Sequence, residues 1–114
     1  MNDKELLELA GKAAAIKGEW SRWHQSYGDL WVEGLNIGGP ILWNPLTDDG
    51  DALRLAVKLR IGVLINHYFE GEYFVKCGSW GSNAAFMEKL NPDSGVATRR
   101  AIVRAAAEIG RAMK

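Results

Sequence analysis

Cysteine is almost missing from this sequence: Cys77 is the one example in 114 residues, so no disulfide can form within the chain. With only two histidines, His24 and His67, it also has too few ligands for a cysteine-only or Cys/His zinc cluster. A surplus of either charge is missing too, since fourteen Lys and Arg balance fourteen Asp and Glu. Nonspecific nucleic-acid binding relies on excess cations that displace counterions from phosphates, and it is not expected here. No apolar run approaches the roughly 18 residues of a membrane helix. The start, MNDKELLELAGK, is amphipathic and acidic, unlike the basic start and apolar run of a signal peptide. These absences predict a cytoplasmic protein without a membrane partner. The patterns G-x-S-x-G, G-x-x-x-x-G-K-[ST] and G-x-G-x-x-G are absent as well. No catalytic residue, metal or cofactor is assigned, and an enzyme is the less favoured reading.

Apolar material is plentiful at 47%, enough for one core, and residues 1–114 read as a single α+β domain. At this size, association into a homo-oligomer would bury more surface. Leu6, Leu9, Ala10, Ala13 and Ile16 recur at helical spacing and predict a first helix from Asp3 to about Ala15, capped by Asn2 or Asp3. EWSRWHQSYGDLWVEGL predicts strands at Glu19–His24 and Leu30–Glu33, joined by a turn at Ser26-Tyr27-Gly28-Asp29. After the loop Asn36 to Pro40, a short strand at Ile41–Trp43 is expected. A helix over Asp48 to Leu59 places Ala52, Leu53, Ala56 and Val57 on one side. The arms Ile61–Phe69 and Glu72–Cys77 flank Glu70-Gly71 as a hairpin. One helical turn is expected at Ala84–Leu90, then a helix from Val96 to Met113 with a stripe of Thr98, Ile102, Ala105, Ile109 and Met113. The predicted architecture is an antiparallel sheet of four to five strands packed with three helices, sandwich-like.

The acidic cluster Asp48, Asp49 and Asp51 lacks the alternate spacing and closing glutamate of a calcium loop. It reads instead as a helix start. Thr47 or Asp48 caps free backbone N–H groups, and Asp49 and Asp51 favour the positive end of the dipole. Among five tryptophans, Trp20 and Trp31 lie on strands and are expected in the core. Trp43 and Trp80 flank glycine-rich loops, where an indole can stack on a planar ligand such as a nucleobase. Arg100, Arg104 and Arg111 share a face of the last helix, with Glu108 as the i+4 partner of Arg104. Arg99 and Arg100, near its N-terminus, are candidates to meet phosphate. His67 reads as a partly buried histidine and a candidate ligand contact. Cys77, between Lys76 and Gly78, is either a small buried hydrophobe or a thiol of lowered pKa.

WNPLTDDGDALRLAVKL, followed much later by ATRRAIVRAAAEIGRAM, resembles a group of small uncharacterised proteins of tailed phages and prophages. GLNIGGPI resembles the GGPII segment of the NinX-like phage accessory proteins. The resemblance covers about half the chain and implies a helix–sheet–helix sandwich made in the bacterial host cytoplasm. It supplies no catalytic residues. It implies an accessory protein that counteracts host defence by binding rather than catalysis. In one form it sequesters a nucleotide on Trp43, Trp80, Arg99, Arg100 and His67. In another it is an inhibitor or adaptor that docks on a host protein through its aromatic hairpin. A small hydrolase or nuclease using His67 ranks last.

Overall fold

The computed structural model describes residues 1–25, 30–79 and 85–113. Its elements run α1 (Asp3–Ala13), β1 (Glu19–Gln25), β2 (Leu30–Asn36), α2 (Asp49–Leu59), β3 (Ile61–Phe69), β4 (Glu72–Ser79), β5 (Phe86–Lys89) and α3 (Ser94–Ala112). Three helices and five antiparallel strands form the expected α+β domain. The strands divide, however, into a β1-β2 ribbon and a three-stranded β3-β4-β5 sheet. The loop at Gly38-Gly39-Pro40 and the whole of α2 separate the two sheets in the chain. The short strand expected at Ile41–Trp43 is a single bridge, Leu35 to Trp43. The turn at Ser26-Tyr27-Gly28-Asp29 lies outside the described residues.

The core is built around α3. One side of it packs along α1, another against α2, and a third covers β4 and β5. Burial therefore spreads around α3 and includes Ala97, Ala101, Val103, Ala106 and Ala107 besides Ile102 and Ala105. Met113, expected at the end of the stripe, is exposed. Small side chains permit this, because alanine lets helix axes approach closely without side-chain entropy cost. At the α1 seam a Cβ on Gly110 would lie 2.0 Å from the Leu9 carbonyl oxygen. The helix begins earlier than expected because Asp93 accepts from the Val96 N–H at 3.0 Å and caps it.

Three further expectations are corrected. Residues Phe86–Lys89 form strand β5, not a helical turn: Cys77 pairs with Phe86 and Val75 with Glu88. Val75 and Cys77 are fully buried under α3, so strand alternation aims Phe86 and Glu88 inward as well. Arg104 meets them there, its guanidinium 4.9 Å from the Phe86 ring centre and hydrogen-bonded to Glu88. Glu108 therefore pairs with Arg111 rather than Arg104. In α2, the buried residues are Asp51, Ala52, Leu55 and Ala56, while Leu53 and Val57 are 65% and 68% exposed. The rotation follows from Asp51, whose carboxylate turns inward to accept the Asn44 backbone N–H at 3.0 Å.

No described helix packs on the face of the three-stranded sheet opposite α3. Alternation places Leu64, Phe69, Phe74 and Met87 on that side. No helix of the described chain is long and apolar enough to cross a membrane.

Candidate functional site

The acidic cluster is a helix start. The Asp48 side chain accepts from the Asp51 N–H at 2.8 Å, Asp49 pairs with Arg99, and Asp51 is 7% exposed. Among the described residues, no three His, Cys, Asp or Glu side chains group closely enough to hold a metal ion.

The residues expected to bind a nucleotide are dispersed. Trp43 is 6% exposed and belongs to the core, where its backbone exchanges two 2.9 Å hydrogen bonds with Leu35. It lines a surface cavity of about 440 Å³ with Ile16, Ile37, Leu55, Arg54 and Lys58. Trp80 lies outside the described residues. Arg99 donates from Nε to the Leu46 carbonyl at 2.9 Å and from Nη1 to Asp49 at 2.6 Å. It lines a different groove of about 410 Å³, between α2, α3 and β3. Arg100 turns to Asp3 at 3.3 Å and Glu88 at 3.9 Å, over a third cavity. His67 is half-buried on β3 opposite Phe74. Trp43, Arg99 and Arg100 thus line three different cavities.

The structure exposes a different tryptophan. Trp31 was expected in the core, yet it is 57% exposed. Register explains why. Trp20, Arg22 and His24 of β1 face Leu35, Glu33 and Trp31 of β2, so all six share one face of the ribbon. At its root this face is apolar: Leu35 is buried and Trp20 packs against the core. Farther along the strands this face is exposed and carries charge. There the Arg22 guanidinium lies 4.6 Å from the centre of the Trp31 ring, and the His24 and Trp31 rings are 4.9 Å apart. Arg22 also reaches Glu33 at 3.6 Å. Leu30, beside Trp31, is 59% exposed. The signal in the sequence was the company Trp31 keeps: a tryptophan in register with Arg, His and Glu stands on a solvated row.

A second tie holds the ribbon in place. The buried Asn44 side chain donates to the Glu33 carbonyl at 2.8 Å and accepts from the Leu46 N–H at 2.9 Å. Behind it, Asp51 bonds both the Asn44 N–H and Arg54. A Cβ on Gly34 would sit 2.6 Å from the Trp43 carbonyl oxygen, so glycine lets the bridge to Trp43 close.

Cys77 is the buried hydrophobe of the two readings. Burial pushes its thiol up to about 11, away from the reactive thiolate. Native protein at pH 8 is expected to react with a thiol reagent only as fast as it opens, while unfolded chain reacts at once. The folded state holds this proton more tightly than the unfolded state, whose thiol titrates near 9. Its contribution to stability is thus complete below about pH 9. It drains by about 1.4 kcal/mol per pH unit until about pH 11. Stability of Cys77→Ala measured across pH 8–11 should lack that component of the decline.

Comparison with protein-family models, curated proteins and solved structures finds no match to this chain.

Proposed function

We propose that this chain is a phage or prophage accessory protein of the host cytoplasm that counteracts host defence by binding a partner protein through the β1–β2 ribbon. The observation that carries the reading is the exposed Trp31, held between Arg22 and His24 at a ribbon end that leaves the core. Within the ribbon the indole gains only its cross-strand contacts with Arg22 and His24, about 0.2–1 kcal/mol, and most of its surface stays in solvent. Tryptophan and arginine are over-represented among residues that dominate protein interfaces, and a ring already oriented by two neighbours loses little entropy on docking. Charge on this surface is mixed, with Arg22 beside Glu33, which suits a protein surface better than a polyanion. The phage origin rests on the resemblance of Trp43–Leu59 and of the last helix. Sequestration of a nucleotide is the weaker form, because Trp43 is enclosed and Arg99 and Arg100 are committed to carboxylates on separate surfaces.

Trp31→Ala is expected to cost at least about 2 kcal/mol of binding, roughly a thirtyfold loss of affinity, while lowering the melting temperature by no more than about 5 °C. The measurement is affinity capture from bacterial lysate with wild type and Trp31→Ala, followed by mass spectrometry and titration of the captured protein. It is paired with thermal shifts against cyclic and ADP-ribose-type nucleotides. Equal capture by both chains would refute the ribbon as the surface. Stabilisation by a nucleotide of about 2.7 kcal/mol at a hundred times its Kd would restore the sequestration reading.

A further inference from the structure

The third strand supports an inference that does not depend on the ribbon. Among the described residues, strand β3 is the edge of its sheet, hydrogen-bonded to β4 on one side only. Its sequence, IGVLINHYF, contains no Asp, Glu, Lys, Arg or Pro. Edge strands usually carry charge or proline because their open N–H and C=O groups template pairing with another chain. This edge lacks those devices until the bulge between Leu64 and His67, where Asn66 takes a φ of 64°. Before and within the bulge, Val63, Leu64 and Ile65 are 40–55% exposed. Leu53 of α2 lines a groove of about 410 Å³ with Val63 and Ile65, and the exposed Val57 follows Leu53 by one turn of the same helix.

We propose that this surface joins two copies of the chain about a two-fold axis. Ile61–Leu64 would pair antiparallel with its equivalent, and Leu53, Val57 and Ile65 of each copy would close over the groove. Three observations favour a second copy over an unrelated protein. In an antiparallel pair about a two-fold axis, Ile61 would face Leu64 and Gly62 would face Val63 of the other copy, where a strand bearing charge of one sign would repel itself. This strand has no formal charge to repel. Pairing also joins two three-stranded sheets into one of six strands, within the usual size range. Finally, the chain exposes 7451 Å², whereas a folded monomer of 12.6 kDa is expected to expose about 6,200 Å². That surplus, to which the exposed ribbon also contributes, leaves room for the roughly 800 Å² per partner that a stable interface removes.

The test is sedimentation velocity of purified protein from 1 to 200 µM, for wild type, Ile65→Lys, Leu53→Glu and Trp31→Ala. The first two substitutions lie at exposed positions, so folding is expected to survive, with circular dichroism as the check. The expected result is a species of twice the chain mass for wild type and Trp31→Ala. Ile65→Lys and Leu53→Glu should each remain monomeric or weaken association at least tenfold. A wild type that is monomeric up to 200 µM overturns the proposal. So does a dimer that both β3-side substitutions leave intact.

Discussion

Replacing Gly110 by alanine is expected to lower the melting temperature by about 8–12 °C. Such a change in mid-helix usually favours the helix by close to 1 kcal/mol. Here the added methyl meets backbone instead of space: its carbon would fall 2.0 Å from the Leu9 carbonyl oxygen and 2.8 Å from the carbonyl carbon. No rotamer can relieve a clash with a main-chain atom, so α1 and α3 must move apart along their whole seam. That seam is the largest helix–helix contact in the molecule and contains the fully buried Leu7 and Ala10. Overpacking of this kind costs about 3 kcal/mol, which outweighs the gain in helix propensity. At about 4–6 °C per kcal/mol for a domain this size, the shift should be unmistakable. Gly39→Ala is the control, since nothing lies within 4 Å of its added carbon; it should change stability by less than about 0.5 kcal/mol. If Gly110→Ala melts at or above the wild-type temperature, α1 and α3 are not packed as described.

Asn44→Ala is expected to cost about 3 kcal/mol and, more tellingly, to loosen the ribbon. Asn44 is only 8% exposed, so removing its amide leaves the Leu46 N–H and the Glu33 carbonyl without partners in a poorly hydrated place. A buried donor or acceptor left alone costs about 1–3 kcal/mol. The Glu33 bond fastens β2 to the chain segment that leads into α2. Hydrogen exchange of the β1–β2 amides should therefore accelerate more than exchange of the β4 amides under α3. Asn44→Asp should be no milder, because it removes the donor and sets a second carboxylate beside Asp51. If stability falls but exchange in the ribbon stays at the wild-type rate, Asn44 serves the α2 entry alone. The ribbon would then owe its position to Trp20 and Leu35. Either result bears on the proposed binding surface, which requires that the strand carrying Trp31 be held.

Much of this molecule was legible in the residues themselves. Every helix and each hairpin arm was set by local physics: apolar residues at spacings of three and four, aspartates at helix starts, a glycine between two β-rich runs. These interactions act within a few residues, so a one-dimensional reading captures them. Strand β5 was not legible, because four residues, FMEK, carry too little periodicity and owe their conformation to pairing with β4. The facing of α2 was likewise decided at a distance. Leu53 and Val57 looked like core partners of Ala52 and Ala56, but a hydrogen bond from Asn44 to Asp51 turned the helix and left them in solvent.

The tryptophans show the same division. Sequence alone determined that there are five, and which of them sit beside glycine and which on strands. Only the tertiary structure decided that Trp43 is enclosed and Trp31 exposed, because burial depends on what packs above a residue and not on its neighbours in the chain. Trp43 lies where α1, α2 and β2 converge, while Trp31 lies on a ribbon that has already passed the end of the core. The arginines follow suit: Arg99 and Arg100 are adjacent in sequence, yet about 100° apart around a helix, and so they reach different carboxylates on different surfaces. Local pattern fixes the elements; which faces meet one another, and which are left for a partner, is settled only when distant segments compete for the same core.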